Sequence, residues 1–145
     1  RALRACGNLP LAVDEASVGP TDFFRHAAEN LVDYLVVKLT RSGGILPTLD
    51  QIAIARGAGL PIVVSGLTDS LSTKVAVCQV ATAFECAGPA ALNGSQFLDE
   101  SELFASKDDF EREGRVILND EPGLGVAPDP AVLERWMDPD FKNRS

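Results

Sequence analysis

The chain has 145 residues, 46% hydrophobic and 23% charged, which is apolar enough for a packed core and excludes disorder. Thirteen Lys and Arg against 21 Asp and Glu leave a net charge of −8, which argues against nucleic acid or an anionic membrane surface as partner. No apolar run reaches the roughly 18 residues of a membrane span. Residues 1–13 begin with basic residues but lack the apolar stretch of a secretory leader, so a cytoplasmic protein is expected.

In chain order, four apolar runs read as strands: Leu11-Ala12-Val13, Tyr34-Leu35-Val36-Val37, Pro61-Ile62-Val63-Val64 and the weaker Ala90-Ala91-Leu92. The middle two are β-branched and unbroken, the pattern of strands buried on both faces. Helical spacing lies between them. The first helix is expected from Thr21, as N-cap, to about Asn30. The second runs from about Leu46 to Arg56, with Leu46, Leu49, Ile52 and Ala53 on one face and Gly57 beyond its end. The third runs from Asp69 to Phe84 through Leu71, Val75, Cys78 and Ala81/Thr82. Alternating strand and helix predict βαβ units and a parallel sheet.

The pattern changes after Asn93. Ser95 to Glu113 is acidic, with Phe97, Leu98, Leu103, Phe104 and Phe110 as anchors. Arg115 to Leu118 reads as a short strand and Glu121 to Gly125 as a turn. Asp129 caps a short helix that opens on Pro130 and ends at Trp136. The tail from Asp138 to Ser145 is expected to be loose. Cys6, Cys78 and Cys86 are odd in number and lack CxxC spacing, so neither a zinc site nor a disulfide framework is indicated and they read as buried small hydrophobes in a reducing compartment. His26 reads as a surface residue of the first helix.

A polar residue follows each apolar run: Asp14, Lys38, Ser65 and Asn93, at intervals of 24, 27 and 28 residues. So even a period suits a barrel of βα units, and equally a doubly wound sheet. Eight barrel units would take about 210–250 residues; this chain holds about four. In a parallel barrel the C-terminal strand ends share one mouth, which places Asp14 beside Lys38. A lysine ending an apolar strand is costly unless paired or neutralised. Two readings follow. One is a structural ion pair. The other is an acid/base lysine beside a carboxylate that holds a divalent cation.

The segments Pro10-Leu11-Ala12-Val13-Asp14-Glu15-Ala16-Ser17 and Val37-Lys38-Leu39-Thr40-Arg41-Ser42-Gly43-Gly44-Ile45 resemble the fifth and sixth barrel strands of the enolase superfamily, muconate lactonizing enzyme branch. Gly114-Arg115-Val116 and Pro122-Gly123-Leu124-Gly125-Val126 resemble the segment that follows the barrel. The resemblance covers residues 8–136 and implies the C-terminal half of a TIM-like (β/α) barrel, residues 1–98. Residues 99–145 would then be an extension that packs on the barrel or completes a capping domain. It further implies a Mg2+-dependent enzyme of a small carboxylate or amino-acid derivative. A lysine removes the α-proton, and the metal-stabilised enolate goes on to racemisation, epimerisation, dehydration or cycloisomerisation.

Matched to that pattern, Asp14 is the third metal ligand and Lys38 the acid/base lysine. Glu15 stands behind the ligand rather than on the metal. Arg41 is structural or electrostatic, and Gly43 and Gly44 turn the strand into its helix. The mandelate racemase branch has a histidine at the seventh strand end, where this chain has Val64-Ser65-Gly66-Leu67-Thr68-Asp69. Ser65 is a candidate to line the pocket, while Thr68 and Asp69 read as a helix start. Dipeptide epimerases carry Asp-x-Asp at the eighth strand end. The triplet here is Ala91-Leu92-Asn93, which disfavours a dipeptide and leaves Asn93 as a substrate hydrogen-bonding or turn residue. The family's capping domain, Lys-x-Lys strand and first two metal ligands lie upstream of the matched region. The expectation is therefore part of a longer, homo-oligomeric enzyme, with an incomplete ligand set and no activity by itself. A Schiff-base lysine enzyme and a non-catalytic scaffold are the alternatives.

Overall fold

The computed structural model describes residues 2–94 and 96–138. The elements in chain order are α1 (Ala2–Ala5), β1 (Ala12–Val13), α2 (Pro20–Ala28), β2 (Tyr34–Val37), α3 (Leu39–Ser42), α4 (Ile45–Gly57), β3 (Ile62–Thr68), α5 (Leu71–Ala83), β4 (Ala91–Asn93), α6 (Lys107–Phe110), β5 (Glu111–Arg112), β6 (Arg115–Val116) and α7 (Pro130–Trp136). Strands β1 to β4 form one parallel sheet in sequence order, as the βαβ pattern predicts. Strands β5 and β6 form a separate antiparallel pair.

Period-2 alternation sorts the sheet residues onto two faces. Val13, Leu35, Val37, Ile62 and Val64 are buried against Phe23 of α2, Ile52 and Ala55 of α4, and Ala76, Val77 and Val80 of α5. The opposite face carries Tyr34, Val36 and Val63, which are only half-buried. The strands are therefore buried on one face, not two: among the described residues helices cover one side of the sheet. A second cluster joins Leu71 and Val75 of α5 to Leu103, Phe104, Phe110 and Val132. The segment after β4 thus packs on the last helix of the sheet. Phe97, expected among these anchors, is 71% exposed.

Helix starts differ from expectation where proline and glycine decide the backbone. Helix α2 begins at Pro20, with Gly19 as N-cap, so Thr21 lies inside the first turn. Proline fits the first helical position because its missing N–H has no partner there anyway. Helix α4 buries Thr48, Gln51, Ile52 and Ala55, whereas Leu46 is 75% exposed and Ala53 faces solvent. Its polar face turns inward because its groups are satisfied there. The Ser42 hydroxyl donates to Gln51 Oε1 at 2.7 Å and Thr48 Oγ1 to the Gly44 carbonyl at 2.8 Å. Helix α5 starts at Leu71 behind Ser70, two residues later than expected. Helix α7 matches expectation: Asp129 accepts from the amides of Ala131 and Val132 at 2.8 and 3.2 Å. Of the tail expected to be loose, all but Asp138 lies outside the described residues. Among the described residues no helix is long and apolar enough to cross a membrane.

Candidate active site

The pairings Ala12 to Tyr34 and Val36 to Val63 put those residues on the open face of the sheet. Two residues further along each strand, the same face receives Asp14, Lys38 and Ser65. Alternation alone thus gathers three of the residues expected at the site. Lys38 sits between the end of β2 and the start of α3, with extended backbone (φ −124°, ψ 110°). Gly43 and Gly44 then adopt φ of 96° and 106°, which side-chain-bearing residues rarely adopt, so the chain can leave α3 and enter α4. This is the turning role expected of the pair.

Lys38 is 8% exposed and its Nζ is ringed by oxygen. Asp14 Oδ2 lies at 3.2 Å and Glu15 Oε1 at 3.3 Å. Nζ also donates to Ser65 Oγ at 3.3 Å and to the Gly66 carbonyl at 3.4 Å. Ser65 in turn donates to the Ala91 carbonyl at 3.3 Å, so its proton points away from the lysine. Glu15's carboxyl is held below the usual carboxylate range, first by its own backbone amide, then by Lys38 and more weakly by Arg41. Asn93 is exposed at the end of β4, and its Oδ1 accepts from Gln96 Nε2 at 3.4 Å; no hydrogen bond to Lys38 is found.

Asp14 shows the feature that bears on a metal. While Oδ2 faces Lys38, its Oδ1 is buried and has no hydrogen-bond partner. A buried carboxylate oxygen without a partner is costly, and a cation would satisfy it. The fit stops at that one oxygen, because no group of three or more His, Cys, Asp or Glu among the described residues is placed to hold a metal ion.

Thr68 and Asp69 do not start α5. Thr68 ends β3, and Asp69 accepts from the Leu67 amide at 2.8 Å and from the Thr40 hydroxyl at 3.4 Å. Glu100, which the sequence does not single out, supplies part of the missing cap by accepting from the Leu71 amide at 3.0 Å. The buried pair of Lys74 with Glu111, at 2.6 Å, was also unforeseen; helical spacing places Lys74 next to Val75 but does not reveal its partner.

A model of the enolase C-terminal domain-like family matches residues 1–132. The chain belongs to this family. It is 28% identical to muconate cycloisomerase 1 of Rhodococcus opacus over 131 residues, which is 88% of this chain and 34% of that protein. The solved structure of a mandelate racemase/muconate lactonizing enzyme from Roseiflexus sp. aligns at TM-score 0.73 and 30% identity, over 88% of this chain and 36% of that one. A protein of the same racemase and lactonizing type from Roseovarius nubinhibens ISM, solved with magnesium, aligns at TM-score 0.74 and 29% identity, over 91% and 35%. The chain spans about a third of the length of the curated relatives it matches. Its four parallel strands and their helices correspond to the C-terminal half of an enolase-type barrel.

Proposed function

We propose that this chain carries the basic half of a site that removes the proton α to a substrate carboxylate, in an enzyme of the enolase superfamily. The observation that carries the reading is Lys38 held 3.2 Å from Asp14 on neighbouring strand ends, while the second oxygen of Asp14 is buried and unpaired.

As drawn by its surroundings, Lys38 is an ammonium whose three N–H groups face four acceptors. Releasing one proton to solvent would leave an amine still held by Ser65 and Gly66, with its lone pair available to the α-C–H of a substrate at the strand-end mouth. Nζ then takes the α-proton, and the C–H electron pair moves into the carboxylate as the enolate forms. Magnesium, held by Asp14 through Oδ1 with ligands from the rest of a complete site, would supply positive charge that holds the substrate carboxylate and offsets the charge growing on it. Arg41, near enough to lower Glu15, adds to the positive field on the same side.

The substrate proposed is a small carboxylate or amino-acid derivative and the reaction an isomerisation or a lyase reaction, with racemisation, epimerisation and dehydration sharing this first step. A dipeptide is disfavoured, because Asn93 ends β4 without a carboxylate for the substrate ammonium. The same reading assigns residues 1–98 to the barrel and the residues from 99 on to an extension packed upon it. It makes the enzyme cytoplasmic and homo-oligomeric, with no nucleic-acid or membrane partner, in keeping with the net charge of −8. The isolated chain is proposed to be inactive, since one carboxylate falls short of the roughly six oxygens magnesium takes.

The test is α-proton exchange. The full-length protein, with Mg2+ in D2O, is given a panel of 2-hydroxy acids, N-acyl amino acids and sugar acids, and loss of the α-proton NMR signal is followed. Exchange that needs both Mg2+ and Lys38 supports the reading. Substrate trapped on Lys38 by borohydride, with activity indifferent to EDTA, would instead identify Schiff-base chemistry.

A further inference from the structure

We propose that Asp69 is the positioning residue for Lys38, clamping the bulged end of β3 so that the Gly66 carbonyl and Ser65 hydroxyl hold the lysine ammonium at the strand-end mouth. This rests on Lys38 being the base.

Strand β3 gains one residue against β4: Ser65 pairs with Ala91, but Thr68 pairs with Asn93. The extra residue is a bulge, a device that bends a strand and re-aims its groups beside functional sites. Here the bulge spans Gly66 and Leu67. It tips the Gly66 carbonyl toward Lys38 Nζ and takes the Leu67 amide out of the ladder. Asp69 Oδ2 accepts that amide at 2.8 Å, while Oδ1 accepts from Thr40, two residues after Lys38. One 7%-exposed carboxylate therefore ties the bulge to α3, and a closed ring runs from Lys38 through Gly66, Leu67, Asp69 and Thr40 back to Lys38.

Two glycines are spent on this arrangement. A Cβ at Gly66 would lie 2.6 Å from Asp69 Oδ2, and one at Gly94 would lie 2.1 Å from the Asp69 carbonyl oxygen. At Gly94 the Asp69 backbone leaves no room for a side chain, and at Gly66 a side chain would displace the Asp69 carboxylate, so both strand ends are shaped around Asp69. A helix cap would require none of this.

The experiment uses the full-length protein with 13C-labelled lysine and reads the Lys38 ε-methylene correlation, assigned with Lys38→Arg. Asp69→Ala is expected to move or broaden that signal and to leave the Lys74 signal in place; Asp69→Asn, which keeps an acceptor for the Leu67 amide, restores it. Gly66→Ala pushes the carboxylate away from the other side and is expected to reproduce the Asp69→Ala spectrum, so the idea remains testable if Asp69→Ala fails to fold. On any acid that the exchange assay turns over, Asp69→Ala lowers kcat roughly 10- to 100-fold, as a misplaced base does, with KM little changed. An unmoved Lys38 signal in both variants overturns the proposal, whatever Lys38 does chemically. Exchange that survives Lys38→Ala sinks the base assignment instead, and the spectra still report the clamp.

Discussion

Lys38 is surrounded by more acceptors than it has protons, and its neighbours differ in what they face. Asp14 presents a buried, unpaired oxygen, whereas Glu15 is 59% exposed and its carboxylate is already served by its own amide and by Lys38. Asp14→Asn should therefore cut α-proton exchange at least about 100-fold, the scale on which misplaced reacting groups act. Glu15→Gln should cost less than about tenfold; equal losses in the two variants would contradict the ranking. Much of this was legible in sequence, because a charged residue after an apolar run has little reason to be there but pairing or chemistry. The role of Asp69 was not legible. An acid just before a helix reads as a cap, and only a bulge, which leaves no mark in hydropathy, makes it an acceptor for the strand behind. The thiols follow exposure. Burial pushes Cys78 and Cys86 up, while Cys6 is exposed, so iodoacetamide near neutral pH should label Cys6 first by mass spectrometry.

At the scale of elements, strand order and the three helices α2, α4 and α5 that join the strands follow from alternation, but the one-turn helices α3 and α6 and the helix faces do not. In α4 the buried residues include Thr48 and Gln51, because hydrogen bonds to Gly44 and Ser42 make polar burial affordable; a hydrophobic count cannot see those partners. The join between α3 and α4 depends on backbone sign. Gly44→Ala should destabilise by about 1–3 kcal/mol in urea unfolding, the cost of a backbone conformation (φ 106°, ψ −167°) open essentially only to glycine, although no atom lies within 4 Å of the added methyl. The contact between α5 and β5 depends on charge. Lys74→Ala removes a buried cation paired at 2.6 Å with Glu111 and should cost about 1.5–3 kcal/mol, the scale of a hydrogen bond to a charged group, whereas replacing both by apolar residues should cost less. Near α1, Arg4 and the Leu11 amide, at 2.8 Å, hold the Asp33 carboxyl below its ordinary range, Arg4 being the larger cause. A carboxyl lowered on folding contributes its stability above the unfolded value of about 3.9 and loses it as pH falls through the lower, folded value. The protection of the Leu11 amide, relative to its intrinsic exchange rate at each pH, should therefore fall on acidification below about pH 4, and Asp33→Asn should remove that acid dependence.

As a whole molecule, the described chain is a sheet with parallel edges at β1 and β4 and one half-covered face. Leu9, Leu46 and Phe97 are each more than 70% exposed. Parallel sheets are ordinarily covered on both faces, and bare edges template association. The chain expressed alone should self-associate in sedimentation velocity; a monodisperse, cooperatively folding monomer would contradict this. Family membership was legible from two short segments because they hold the strand-end residues that the fold brings together. The substrate was not, because the chain spans about a third of its relatives' length and carries four parallel strand ends. The most direct measurement is α-proton exchange in D2O by the full-length protein with Mg2+, comparing Lys38 with Lys38→Ala. The account predicts exchange abolished in the variant with the thermal midpoint retained; exchange that persists in a folded Lys38→Ala protein would contradict it.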